Sequence, residues 1–150
     1  MKKNIQILVG THNDGKFREI SKLISKRIKK ISPKTLKRKA PRETGKSFKS
    51  NSELKANYFF KKSKLISLSD DSGLEIKALK NKPGIFSARW AKHYGSFQKA
   101  MKEILKKLGG KKNRKARFIC SLSIKFDNKK IITCTGIING KISDKIIGTK

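Results

Sequence analysis

Apolar positions in this chain fall into short runs whose period changes along the sequence. Residues 5–9, Ile-Gln-Ile-Leu-Val, read as a buried strand. After the polar loop 10–16, Phe17, Ile20, Leu23, Ile24 and Ile28 recur at helical spacing, and either Asn13 or Asp14 can cap the first turn. Between 26 and 42 the chain is densely basic and broken by Pro33 and Pro41, with Ile31 and Thr35-Leu36 marking a short second strand amid loops. A second helix is expected from Ser47 or Ser50 to about residue 62. Ser50-Asn51-Ser52-Glu53 fits a capping box there, and Leu54, Tyr58 and Phe59 would be the buried positions.

Residues 65–76 form the most informative run. An apolar, strand-like stretch is expected to break at Asp70-Asp71-Ser72-Gly73 before apolar character returns at Leu74 and Ile76. Downstream, residues 81–84 read as a turn, and a third helix over about 96–108 carries Phe97, Met101, Ile104, Leu105 and Leu108 on one stripe and stops at Gly109-Gly110. Residues 116–126 and 131–138 read as strands joined by a turn at Asp127-Asn128, and Asn139-Gly140 is a hairpin signal. Strands separated by helices, followed by a strand run, predict an α/β fold with a mixed sheet.

Length and composition narrow the class. A chain of 150 residues is expected to be one domain with a real core. Forty basic residues against ten acidic ones give a formal charge of +30, which attracts polyanions. Lysine is spread through almost every segment, without interleaved aromatics in the basic run, so nucleic acid is expected only as a non-specific polyanion. Cys120 and Cys134 fall in strand-like runs and are expected to serve as core thiols in a reducing cytoplasm. Neither the first four residues nor any later segment reads as a secretory leader or membrane span. His12 and His93 are too isolated for a zinc site.

Chemistry enters at three places. Adjacent carboxylates at Asp70 and Asp71 repel, and stay ionised readily only beside a positive charge, for which Mg²⁺ is the usual hard cation; the alternative is a plain turn. The order strand, loop 10–16, helix is that of a phosphate cradle, in which Thr11, Asn13 and Lys16, with backbone N–H groups of a loop that also holds His12, Asp14 and Gly15, would grip phosphate oxygens. The alternative is that Thr11 and Asn13 only cap the helix and Lys16 is surface charge. Glu43, between Arg42 and Thr44, opens a third stretch that continues through Gly45, Ser47 and Phe48 to Asn51, Lys55 and Ala56.

Taken together, Thr11-x-Asn13-x-x-Lys16-x-x-Glu19, Glu43-Thr44-Gly45-x-Ser47-Phe48-x-x-Asn51-x-x-x-Lys55-Ala56, Asp70-Asp71-Ser72-Gly73-Leu74 and Pro83-Gly84-Ile85-Phe86-Ser87-Ala88-Arg89 resemble, in order and spacing, the Ham1 family of inosine triphosphate pyrophosphatases. The resemblance implies a long, curved mixed sheet flanked by helices, with two lobes and a nucleotide cleft between them. It implies hydrolysis of non-canonical purine nucleoside triphosphates to the monophosphate and pyrophosphate, with Mg²⁺ as cofactor and a homodimer as the assembly. Asp71 matches the proton acceptor. Glu43 and Asp71 would hold the metal, Lys55 and Ser72 would contact phosphate, and Asp70, Asn51 and Arg89 would support the site. His12 stands where the family prefers a glycine, and Ser50 where it usually has a glutamate. The family's Gly-Phe-Gly-Tyr-Asp-Pro and Ser-His-Arg segments have no counterpart, so a C-terminally incomplete domain is expected, with base recognition lost. Against the enzyme stand two other readings: a non-catalytic triphosphate-binding remnant, and a small basic nucleic-acid-binding protein.

Overall fold

A computed structural model describes residues 5–148. The expectations placed on residues 1–4 and on the end at residue 150 lie outside that range. In chain order the elements are β1 (Gln6–Val9), α1 (Asp14–Leu23), β2 (Lys29–Ile31), α2 (Phe48–Ser63), β3 (Ile66–Ile76), β4 (Lys82–Pro83), α3 (Ser87–Tyr94), α4 (Phe97–Leu108), β5 (Lys115–Lys125) and β6 (Ile131–Lys141). The strands form one mixed sheet in the order β2-β1-β3-β5-β6, with β4 pairing β3. β1 runs parallel to both neighbours, Ile7 standing opposite Lys30 on β2 and Ile66 on β3, whereas β4 is antiparallel to β3. The α/β class with a mixed sheet and flanking helices is therefore as expected.

The chain divides into two compact units, residues 1–71 with 121–135, and residues 72–120 with 136–150. In the first, Ile7, Val9, Ile20 and Leu68 form a buried cluster, joined by Phe17, Ile24, Ile28, Ile66, Leu122 and Ile124. α1 thus lies with one face on β1 and β3, each large apolar side chain so buried contributing about 1.5–3 kcal/mol. Leu23, expected on the same face, is 84% exposed, because the helix ends there and Ile24 caps it in an extended conformation. In the second unit Ile76, Ile104 and Leu108 form the buried cluster, with Leu74, Leu79, Trp90, Ala116 and Ile142 packed on it.

Several expectations need correction. β3 does not break at the carboxylates; it continues unbroken through Asp70, Asp71, Ser72 and Gly73. β6 likewise passes through Asn139-Gly140 with no hairpin. β2 is confined to Lys29–Ile31, while Thr35 and Leu36 lie in a turn. The second helix is capped by Ser47, not Ser50: Ser47 Oγ accepts the Ser50 amide, and Ser50 Oγ accepts that of Ser47. Its buried residues are Phe48, Asn51, Ser52, Ala56 and Phe59; Phe59 is as expected, whereas Leu54 and Tyr58 are only half-buried and the polar Asn51 and Ser52 are buried instead. On α4 the buried stripe is Ala100, Ile104 and Leu108; Phe97 and Met101 are exposed. Cys134 is exposed and not a core thiol, Cys120 is half-buried, and neither is in a disulfide. Among the described residues, no helix is long and apolar enough to cross a membrane.

Candidate active site

The site is built on the first unit, from the loop after β1, the N-terminal turns of two helices and the middle of β3. At the end of β1 the Gly10 amide donates to the Leu68 carbonyl at 2.6 Å and that of Thr11 to Val9 at 2.8 Å, which turns the chain sharply off the sheet. Gly10 is required here by space: a Cβ would collide with Ser69 Oγ and come within 2.5 Å of the Phe59 ring. Asn13 is the N-cap, its Oδ1 accepting the Lys16 amide at 3.1 Å, and Thr11 Oγ1 accepts the Asn13 amide at 3.2 Å. The capping role that sequence offered as an alternative for Thr11 and Asn13 is thus present for Asn13, whereas Thr11 supports the cap residue's own amide. Asp14 opens α1 and takes an ion pair from Lys34 at 2.6 Å, and His12 Nε2 lies 2.7 Å from the Arg38 carbonyl. These two contacts tie the basic loop after β2 to the loop after β1. Gly15 sits in the first turn of α1.

Lys16 reaches back to β3, its Nζ 2.6 Å from Asp70 Oδ2. The acid beside it does something different. Alternate residues of a strand face opposite sides, and β3 obeys this: Leu68 and Asp70 meet α1, through the apolar cluster and Lys16, whereas Ser69 and Asp71 face α2. Expecting the two carboxylates to act as one repelling pair is therefore incorrect. Each is buried, at 4% and 6% exposure, and each has its own cation.

Asp71 Oδ2 accepts from Asn51 Nδ2 at 3.0 Å, and its Oδ1 is 3.7 Å from Lys55 Nζ. The same ammonium lies 2.7 Å from Glu43 Oε1. Asn51 and Lys55, four residues apart, share one face of α2. Asn51 has a second task, its Oδ1 accepting the Gly45 amide at 2.8 Å, which holds the Glu43-Thr44-Gly45 segment against the helix. A side chain at Gly45 would run into Ser50 Oγ and Asn51. Burial pushes the Asp71 carboxyl above the ordinary 3.8; Lys55 and the Asn51 amide pull the other way, Glu43 adds to the rise, and the charge of Lys16 also reaches it.

Thr11, Asn13, Lys16, Glu43, Asn51, Lys55, Asp70 and Asp71 all belong to this unit. Ser72 and Arg89 belong to the second. Ser72 is half-buried on β3, and Arg89, exposed on α3, places its guanidinium 4.8 Å from the Phe86 ring centre. Among the described residues no group of three or more His, Cys, Asp or Glu side chains is placed to hold a metal. Glu43 and Asp71 do converge on one cation, the Lys55 ammonium, so this two-carboxylate donor set fits a hard divalent ion that retains most of its water. What sequence reasoning missed is Ser69 beneath Gly10, and the bond from Asn51 to Gly45. The signal for both was a glycine at a place where close approach leaves no room for a side chain.

An α/β protein with one mixed sheet flanked by helices is defined by this geometry, and comparison with known proteins agrees with that fold. The chain belongs to the Ham1 family, whose model matches residues 7–150. It is 39% identical over 123 residues to a dITP/XTP pyrophosphatase of Zymomonas mobilis, covering 79% of this chain and 59% of the relative. A dITP/XTP pyrophosphatase of Methylacidiphilum infernorum is 37% identical over 142 residues, covering 93% and 70%. Among solved structures, the Staphylococcus aureus Ham1 protein superposes with a TM-score of 0.86 at 31% identity, covering 97% of this chain and 76% of that one. A Coxiella burnetii HAM1 protein gives 0.88 at 28%, covering 97% and 77%. The chain thus spans 59% to 70% of the length of the two pyrophosphatases.

Proposed function

We propose that this protein hydrolyses non-canonical purine nucleoside triphosphates, such as those of inosine and xanthosine, to the monophosphate and pyrophosphate. The observation that carries the reading is Asp71, a buried carboxylate with a raised pKa whose partners, Asn51 and Lys55, belong to the same helix, beside Glu43 and within the field of Lys16. The substrate class comes from the names of the relatives.

In this mechanism the loop 10–16 and Lys16 receive the polyphosphate, the Thr11 hydroxyl, the Asn13 side chain and the backbone of His12, Asp14 and Gly15 shaping the loop around it. Asp71 accepts a proton from water as the oxygen attacks the α-phosphorus. The bond from that phosphorus to the bridging oxygen breaks, and pyrophosphate leaves with the electron pair. A carboxylate whose pKa burial raises is a stronger base than an ordinary one, which is the use of burying it. Glu43 and Asp71 would hold Mg²⁺, which supplies charge neutralisation and orientation of the phosphates. Lys55 then serves as a further positive contact for phosphate, with Ser72 as a second hydroxyl, and Asp70 fixes the position of the Lys16 ammonium at β3. Arg89 is assigned a supporting role. The two units as halves of one domain, a homodimer and a cytoplasmic location complete the reading by family likeness.

Pyrophosphate release from dITP, XTP, ATP and GTP with Mg²⁺ present or chelated tests it. Release from dITP or XTP that stops on chelation and in Asp71→Asn is expected; a wild-type chain that releases none, or an unimpaired Asp71→Asn, overturns it.

A further inference from the structure

Four polar side chains that the mechanism leaves unused form a continuous chain through the first unit. Ser52 Oγ on α2 is 2.7 Å from Ser123 Oγ on β5; Ser123 Oγ is 2.8 Å from Thr133 Oγ1 on β6; and Thr133 Oγ1 is 2.8 Å from Glu53 Oε1, back on α2. The chain leaves the helix at one residue and returns at the next. Ser52 and Ser123 are fully buried, at no more than 1% exposure.

The proton order follows from counting. A carboxylate only accepts, so Thr133 gives its single proton to Glu53. Ser123 must then donate to Thr133, and Ser52 is left to donate to Ser123, sharing that proton with the Lys49 carbonyl at 2.9 Å. A second rung on the same hairpin, Ser121 Oγ to Thr135 Oγ1 at 2.8 Å, fixes the register of β5 against β6 but does not touch the helix.

What this chain fixes is the rotation of α2 about its own axis. Adjacent helical residues point about 100° apart, so holding Ser52 and Glu53 by one hairpin sets the direction of every other side chain on the helix. Ser52 lies next to Asn51 and three residues before Lys55, on the face that meets Asp71. Rolling α2 would disturb the packing of Phe48, Ala56 and Phe59, and the directed hydroxyl chain adds a specific penalty, because its buried groups would be left unbonded.

We propose that Ser52, Ser123, Thr133 and Glu53 are positioning residues for the reaction, locking the rotation of α2 so that Asn51 and Lys55 are aimed at Asp71. The inference rests on the reading of Asp71 given above, and its test therefore includes a signal that needs no turnover. Thr133→Val keeps shape and strand preference on a half-buried site and removes the hydroxyl, while Thr133→Ser retains it. In Thr133→Val the side-chain amide resonances of Asn51 should move and exchange faster with solvent, and kcat for dITP should fall about tenfold with KM within twofold. Thr133→Ser should restore both. Thr133→Val with unchanged Asn51 resonances overturns the proposal whatever its effect on melting temperature, and so does an equal loss in Thr133→Ser. A wild type without turnover refutes the hydrolytic reading alone, since the Asn51 signal still reports on the helix.

Discussion

At Asp71 the proposed role as a base and the stability of the fold pull in opposite directions. Its carboxyl titrates above 3.8 because burial disfavours the charged form, with Lys55 and Asn51 only partly compensating. A group raised in the folded state contributes stability that is fully present below 3.8 and is lost as pH rises through the raised value. Asp71→Asn should therefore abolish turnover, yet at neutral pH be as stable as the wild type or about 1 kcal/mol more so. That advantage should shrink as pH falls towards 3.8, which urea titrations at several pH values will show. Lys16 makes the opposite case, since its partner Asp70 is buried and only 2.6 Å away. Lys16→Ala should weaken triphosphate binding by about 1.5–3 kcal/mol and also destabilise the fold, by about 1–3 kcal/mol. Lys29→Ala, exposed on β2, should change neither by calorimetry or thermal melting. Equal small losses in both variants would mean that the loop does not cradle phosphate.

At the scale of elements the loop after β1 depends on close approach. Gly10→Ala places a methyl group against Ser69 Oγ and the Phe59 ring, and should cost about 1–3 kcal/mol in a denaturant titration. Ser47→Ala removes the cap of α2 and should cost about 1 kcal/mol by the same measurement. The turn after β1, α1 and the closeness of Glu43, Asn51, Lys55 and Asp71 were legible in sequence, the first two from hydrophobic spacing and the last from the motifs that carry the family resemblance. The continuity of β3 was not. Asp and Gly are depleted from strands in general, and what keeps them in one here is long-range: Lys16 and Asn51 reach the two acids from 54 and 20 residues away. β6 ran past Asn139-Gly140 for a related reason: that dipeptide makes a hairpin with a following strand, and among the described residues none follows β6. The buried face of α2 was misread because Ser52 and Asn51 fill core positions by hydrogen bonding, to which hydrophobic periodicity is blind.

Across the whole molecule, positive charge sets the behaviour towards other solutes. With forty basic and ten acidic residues, at least thirty cations can have no acidic partner of their own. Acids stand where they position something: Asp70 by Lys16, Glu43 and Asp71 by Lys55, Glu75 by Arg117 at 2.8 Å. The surplus should bind single-stranded RNA without regard to sequence. That affinity should fall log-linearly with salt and be indifferent to Lys16→Ala, because it comes from counterion release and not from any one contact. Fluorescence anisotropy over a salt series checks it; salt-independent binding, or loss on the single substitution, would point to a dedicated site.

The alternation of Asp70 and Asp71 also bears on how this chain can change. Two neighbours wired to different helices can be exchanged one at a time, the anchor of Lys16 without the acid opposite Lys55, or the reverse, so the pair is modular in substitution. In length it is the opposite. One residue gained or lost between Leu68 and Asp70 would turn the downstream strand over, presenting Asp71 to α1 and Asp70 to α2 and swapping their tasks in a single event. A point change at this strand removes one of the two tasks and leaves the other in place, whereas a single-codon insertion or deletion rewires both.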